Sequence, residues 1–434
     1  MADDASATSS PIPNDLDAER SERATLIALL AMLFYQGFAV SIVAVASPWI
    51  GKSFHLDGAG IARMFAWISA SALGALALSR MIDRFGRRRM IVWCLAAMPV
   101  CSIGAAVSTN LIAFTAFQIA LFAFVGAAGS GCIVMLSETL PIDRRATGQS
   151  MGGIAGTIGT AFPVIMMPLF VVSGWSWRWM LVLLAAGGIA MLPTMARMLP
   201  ESARWQRADA EGVTAKSHYY DVFQPLYRRR SITMIVCALM AAISSTAAGS
   251  FIYYHAVSVA GLSAGAASTM TLVGGGIGLL GFPFGAWTAE RFGRVPTVVA
   301  FGIFITAGHL WFYWGPPAHF AWPLVWLASG FFWFSVCDNA GTVASNAAAT
   351  ELFPTALRGT MIGWFALVSA AGSIISNAAV AALANKMGGL SIVVGALSIV
   401  GIPAAILFGL IIDETRGMSL EIASKEEEFR QSEH

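Results

Sequence analysis

Runs of about twenty apolar residues, broken by short clusters of glycine, proline and charge, follow one another along nearly the whole chain. A helix needs about 20 such residues to cross the hydrocarbon core of a bilayer, so the pattern predicts membrane-spanning helices. Twelve stretches qualify: 24–48, 61–81, 90–108, 112–137, 147–173 and 178–198, then 231–256, 265–288, 295–314, 321–349, 359–385 and 389–412. The longest polar interruption, residues 199–230, holds Arg204, Arg207, Lys216 and Arg228 to Arg230, and divides six helices from six. The expected fold is an all-α membrane protein with two six-helix halves, 24–198 and 231–412. Residues 1–23, rich in Ser, Asp and Pro and without an apolar run, are expected to form a disordered cytoplasmic tail and not a signal peptide. Residues 413–434 are expected to form a second cytoplasmic tail.

Composition strengthens this reading. Of 434 residues 57% are hydrophobic and 12% charged, and the mean hydropathy is +0.70. A soluble protein carries roughly 25% charged residues. The net charge of +2 gives no footing for a nucleic-acid partner. The five cysteines (Cys94, Cys101, Cys132, Cys237, Cys337) sit in apolar stretches without metal-ligand spacing and read as core residues. No HExxH, GxSxG or P-loop pattern occurs, so neither an enzyme nor a cofactor or metal site is expected.

Basic residues mark the sides of the membrane. Of the 26 Lys and Arg, only Lys52, Arg63, Arg178 and Lys386 fall at one set of helix ends; the others lie at the opposite set or in the tails. Positive residues favour the cytoplasm, which places both termini and the 199–230 loop there. Five of them cluster where the second stretch gives way to the third, as Arg80, Arg84, Arg87, Arg88 and Arg89, around Asp83 and Gly86.

The two halves repeat. Asp83-Arg84-Phe85-Gly86-Arg87 returns as Glu290-Arg291-Phe292-Gly293-Arg294. Glu138 and Arg145 return, at one shared offset, as Glu351 and Arg358, and Glu201 returns loosely as Glu414. Internal duplication of this kind marks transporters with a site at the interface of their halves.

These motifs, with Trp177-Arg178-Trp179, 200–205 around Glu201 and Arg204, 351–359, and 414–421 with Arg416, resemble those of the major facilitator superfamily over residues 24–420. The branch they resemble contains sugar porters and metabolite or aromatic-acid:proton symporters. The resemblance implies alternating access in a plasma membrane, the bacterial inner membrane. It also implies a cytoplasmic gate from Asp83, Arg84, Gly86, Arg87, Glu138, Arg145, Glu201, Arg204, Glu290, Arg291, Gly293, Glu351, Arg358, Glu414 and Arg416, whose ion pairs break as the halves rock. Physically, Gly86 permits a tight turn, and Asp83 stands where a carboxylate can face the N-terminal end of a neighbouring helix. A bare topological role for the arginines is the alternative. Ser79 and Ala286 stand where the superfamily usually has glycine, and both are small enough for close helix approach.

In the pathway, Asp338 is the acidic residue farthest from any helix end. A carboxylate at that depth costs about 2.5–3.5 kcal/mol on insertion scales, so it is expected to face a cavity or a partner. It reads as a proton-titrating group, a counter-charge for a cationic solute, or a buried structural acid. Asn339 is adjacent, and Asn346 lies two turns on, rotated by roughly 80°. Gln36 and Gln118 occupy positions where related symporters carry charge, so the usual N-half charge pair is missing. Tyr253, Tyr254 and His255 end the seventh stretch in a way that resembles sugar porters, but Ile243 and Ser244 replace their sugar-binding glutamines, which disfavours a hexose. Tyr35, Trp333 and Trp364 are candidate cavity walls. His255 is either a pH-sensing or an interfacial group, and His309 a packing residue.

The expected function is transport of a small organic solute, with proton-coupled uptake preferred. A uniporter or exporter of a neutral, aromatic or cationic solute, or a non-transporting ligand sensor, is the alternative. The expected partners are the solute, protons and the lipid bilayer, with the protein a monomer.

Overall fold

The computed structural model describes residues 15–139, 145–201, 220–315 and 322–418. Their regular structure is helical, with no strand among the described residues. The N half comprises α1 (Asp15–Phe54), α2 (Gly58–Ser69 continued by Ser71–Phe85), α3 (Arg87–Val107), α4 (Leu111–Thr139), α5 (Arg145–Val172) and α6 (Arg178–Met198). The C half comprises α7 (Arg228–Ser250, prolonged by Ile252–Tyr254 and a π turn, His255–Val259), α8 (Ala264–Gly278 continued by Gly281–Phe292) and α9 (Arg294–Tyr313). It is completed by α10 (Pro323–Glu351), α11 (Thr355–Leu383) and α12 (Leu390–Ser398 continued by Gly401–Ile411).

The expected disordered tail at 1–23 is corrected in part. α1 already begins at Asp15, because 15–23 carries helix formers that extend the spanning segment. Arg204 and the rest of 202–219, and residues 419–434, lie outside the described residues.

Among the described residues, eleven of these twelve helices are long and apolar enough to cross a membrane by composition alone. The twelfth, α10, is 29 residues long but contains Asp338, Asn339 and Asn346. Its polar content has to be accommodated inside the bundle, as lipid would leave it unsatisfied.

Within the N half α1 packs along α5, and α3 along α4 and α6; within the C half α7 packs along α11, and α9 along α10. The α1–α5 contact brings backbone to backbone. A β-carbon on Gly37 would lie 2.1 Å from the Gly156 carbonyl oxygen, and one on Gly159 2.0 Å from that of Phe34. Glycine is the residue that allows this approach.

The halves meet through α2 with α11 and α5 with α8. The cross-half pairs gather away from the arginine boxes. The Phe65 and Phe251 rings lie 5.4 Å apart and those of Trp49 and Tyr253 6.1 Å apart. Ser268 donates to the Val164 carbonyl at 2.6 Å, Asn377 to Ser69 Oγ at 3.1 Å, and Asn385 to Asp57 Oδ2 at 2.9 Å. A single buried apolar cluster accordingly runs through the N half into Ala247, Phe251, Tyr253 and Phe312. A separate one, with Tyr227, Phe353, Leu357 and Phe408, sits at the arginine end of the C half.

Candidate functional site

At the arginine end the duplicated motifs build the same device twice. Gly86 and Gly293 have φ of 97° and 108°, a region that costs glycine little. The chain turns there and starts α3 and α9 immediately. The first free N–H groups of each helix then meet a carboxylate. Glu201 Oε1 accepts from the Arg87 and Arg88 N–H at 2.9 and 3.2 Å. Glu414 accepts from Arg294 and Val295, both at 2.9 Å. A negative group on a helix N-terminus satisfies orphan donors and complements the dipole.

Sequence reasoning set Asp83 against the N-terminal end of a neighbouring helix; at α3 and α9 themselves the acceptors are Glu201 and Glu414, distant in sequence and close only in space. In the C half a second pair joins in: Arg294 binds Glu351 at 3.1 Å, and the Thr415 hydroxyl bonds the other oxygen of Glu351. Each of these contacts stays within one half. Arg291 lies over the Trp287 and Phe292 rings, Glu290 is exposed, and the Arg416 N–H donates to Glu414 at 2.9 Å. The side chains of Asp83, Arg84, Glu138, Arg145 and Arg358 lie outside what is described.

Deeper in the C half, α7, α9, α10, α11 and α12 enclose a cavity of about 560 Å³. Asp338, Thr342, Ser345 and Asn346 line it from α10, and Ser369 and Ser373 from α11. Asp338 is surrounded by protein yet open to the cavity. Its carboxyl has no hydrogen bond or ion pair among the described residues, and no Lys, Arg or His lines the space. Thr246 and Ser373 bond each other across α7 and α11 at 2.9 Å.

The structure thus brings Asp338 and Asn346 together and separates several other candidates from them. Asn339 turns the other way and donates to the Gly278 carbonyl at 2.9 Å, tying α10 to α8. Gln36 lines a second cavity of about 310 Å³ with Ser71, Ser79 and Ser130, closed on the far side by Ala366 and Ala370 of α11. Gln118 is fully buried, and neither of its amide atoms has a partner among the described residues. Tyr35 is spent on packing, with its hydroxyl on the Leu184 carbonyl at 3.0 Å. The Trp333 indole bonds the Phe304 carbonyl at 3.0 Å, and the Trp364 ring rests on Phe223 at 5.3 Å.

Tyr35, Asn339, Trp333 and Trp364 therefore do not line the Asp338 cavity. Tyr253 bonds Ala264 and Ser268 at the cross-half seam, and the Tyr254 hydroxyl lies beside Gly58 at the end of α2 opposite the arginine box. His255 bonds Ser391 Oγ at 2.8 Å beside a separate cavity lined by Tyr313 and Trp314, and the His309 ring packs on Phe334. Sequence reasoning missed Ser369 and Ser373. Their spacing of one helical turn, continued by Ser376, was the available signal.

Two six-helix halves, each with the same turn and the same carboxylate cap, form the duplicated architecture of a secondary transporter. The chain belongs to the Major Facilitator Superfamily, which it matches over residues 27–377. It is 25% identical to a gentisate transporter of Corynebacterium glutamicum over 74% of this chain and 70% of that one. It is also 25% identical to the major myo-inositol transporter of Bacillus subtilis over 92% of each. With a gallate transporter of Pseudomonas putida it shares 27% identity over 42% of this chain and 41% of that one, so that match spans about two fifths of the relative's length. Among solved structures, a D-xylose-proton symporter superposes with a TM-score of 0.70 at 19% identity, covering 91% of this chain and 98% of that one.

Proposed function

We propose that the protein is a secondary transporter that takes up a small organic solute together with protons by alternating access. The single observation that carries the coupling is Asp338, an unpartnered carboxyl at mid-helix, open to a cavity that no basic side chain lines. A lone carboxyl at that depth is far cheaper to keep when it can bind and release a proton. Membership of the superfamily and relatives named as transporters support transport itself. The distribution of basic residues supports placing the arginine end on the cytoplasmic side of a plasma membrane. With the cross-half contacts gathered at the other end, the conformation reads as inward-facing. The gate residues then act as rigid corners of each half, capped by Glu201 and Glu414.

Gentisate and gallate are the named cargo of two relatives, and myo-inositol and xylose of others. An anion finds no counter-charge in the Asp338 cavity, which favours a neutral solute or the protonated form of an acid. The same lack of a base supports a second reading, in which Asp338 holds a cationic solute and exchanges it for a proton. Proteoliposomes loaded at two pH values and offered myo-inositol, D-xylose, gentisate and tyramine separate these readings. Uptake against a gradient that Asp338→Asn abolishes, with downhill exchange retained, is the expected result. Accumulation unchanged in that variant removes Asp338 from coupling.

A further inference from the structure

The cap on α3 and the cap on α9 are duplicates, yet the residues around them are not. The positions matching Arg88, Arg89 and Trp93 in the second half are Val295, Pro296 and Ala300. Val295 serves the Glu414 cap through its backbone alone, so the fold needs no arginine there. Arg89 and Trp93 in the N half are thus left without a part in the cap, and Arg88 serves it through its backbone alone.

They share one place. Arg88, Arg89 and Trp93 line a cavity of about 410 Å³ between α3 and α6, with Phe85, Ala196 and Glu201 on its other walls. Arg88 Nη2 donates to the Ala196 carbonyl at 2.6 Å, which fixes its guanidinium at the rim. Arg89 is exposed and has no hydrogen bond or ion pair among the described residues. The Glu201 carboxylate faces the same space, but its Oε1 is occupied by the two backbone N–H groups of the cap. Among the described residues that line it, the balance is two guanidinium groups against one engaged carboxylate.

The stripe of exposed residues on α3 shows which way this cavity faces. Arg89, Trp93, Ala96, Val100, Ile103 and Val107 are all exposed at alternating spacings of four and three, so they form one face of the helix. Everything above Trp93 on that face is apolar and fits acyl chains. Trp93 stands one turn inside the arginines, the depth at which indoles favour the interface. The pocket therefore opens sideways to lipid at headgroup level, and the solute pathway lies elsewhere.

We infer that the Arg88–Arg89–Trp93 pocket binds the headgroup of an anionic phospholipid of the arginine-side leaflet, with the phosphate on the guanidinium groups and the glycerol backbone against Trp93. Guanidinium forks match phosphate oxygens in geometry. A charge near such a surface is worth roughly fivefold in affinity, so the pair predicts about a 30-fold preference for phosphatidylglycerol over phosphatidylcholine.

Native mass spectrometry of the full chain in detergent, mixed with equal amounts of phosphatidylglycerol and phosphatidylcholine, tests this. Wild type should retain phosphatidylglycerol preferentially. The Arg88→Gln/Arg89→Gln double variant, whose backbone cap on Glu201 is intact, should lose the preference to within about twofold. Should that variant not be recovered folded, Trp93→Ala on the lipid face provides the same reading, with weaker retention of phosphatidylglycerol. Millimolar inorganic phosphate should leave retention unchanged, because the acyl chains contribute; displacement by phosphate would mean a free-anion site and overturn the lipid assignment. Equal retention of both lipids by wild type, or a preference that survives in the double variant, would also overturn it.

Discussion

At the scale of single residues, the decisive groups are carboxylates whose surroundings differ. Glu201 and Glu414 are held by helix N–H groups and are positioned as parts of the frame. Asp338 has no such partner and faces open space. Neutralising the caps should therefore cost stability: Glu414→Gln is expected to lose about 1 kcal/mol, the usual worth of an N-terminal cap. Gly293→Ala should cost more, about 1–3 kcal/mol. Its β-carbon would stand 2.5 Å from Glu414 Oε2 at a backbone φ of 108°. Thermal unfolding in detergent checks both, with the alanine variant melting below the glutamine variant. Reversal of that order would mean the turn, and not the cap, tolerates change.

Among the helices, the α1–α5 contact and α10 carry opposite demands. α1 and α5 touch through backbone at Gly37, Gly156 and Gly159, and neither partner can yield. Gly37→Val should force the pair apart and markedly lower the yield of folded protein. Gly153→Ala, on the same α5 but with nothing within 4 Å of its β-carbon, should be neutral. Fluorescence-detected size-exclusion of the two variants decides this, and equal profiles would contradict the packing argument. α10 is the helix whose polar residues exclude it from lipid by composition. Its face with Asp338, Thr342 and Asn346 is turned into the C half while Asn339 is tied to α8. One helix thereby holds a cavity wall and a brace on different sides.

For the whole molecule, closure at the end opposite the arginines depends on few polar contacts. Asp57 caps α2 through the Gly60 N–H at 2.7 Å while accepting from Asn385 in the turn after α11, a bond between the halves. The Asn385 amide, and then the Gly60 N–H, hold its carboxyl below the ordinary 3.8. A carboxylate with a lowered pKa stabilises the closed end above its ordinary value and loses that contribution as pH falls through the lowered one. The latch should thus be indifferent to pH between about 5 and 8 and weaken only below about 4. Asn385→Ala at neutral pH should loosen the same end. Spin-label distances between the ends of α2 and α11 that carry Asp57 and Asn385 should lengthen in the variant at pH 7 and in wild type only under acid; lengthening of wild type already at pH 6 would implicate another group.

Much of the architecture could be read from the order of residues, for identifiable reasons. The bilayer imposes one period and one length on every helix, so hydropathy alone marks the spans, the two halves and the charged ends. The turns at Gly86 and Gly293 were equally visible, because a local conformational need leaves a local residue. Asp338 stood out as a carboxyl in an apolar run. What needed the folded chain was every pairing across sequence distance. The caps on α3 and α9 fell to Glu201 and Glu414, and Tyr35, Trp333 and Asn339 were drawn into packing. Ser369 and Ser373 joined Asp338 in one cavity, and Arg89 with Trp93 was turned to the lipid. Periodicity tells which face of a helix is apolar, but only packing against neighbours decides what each face meets.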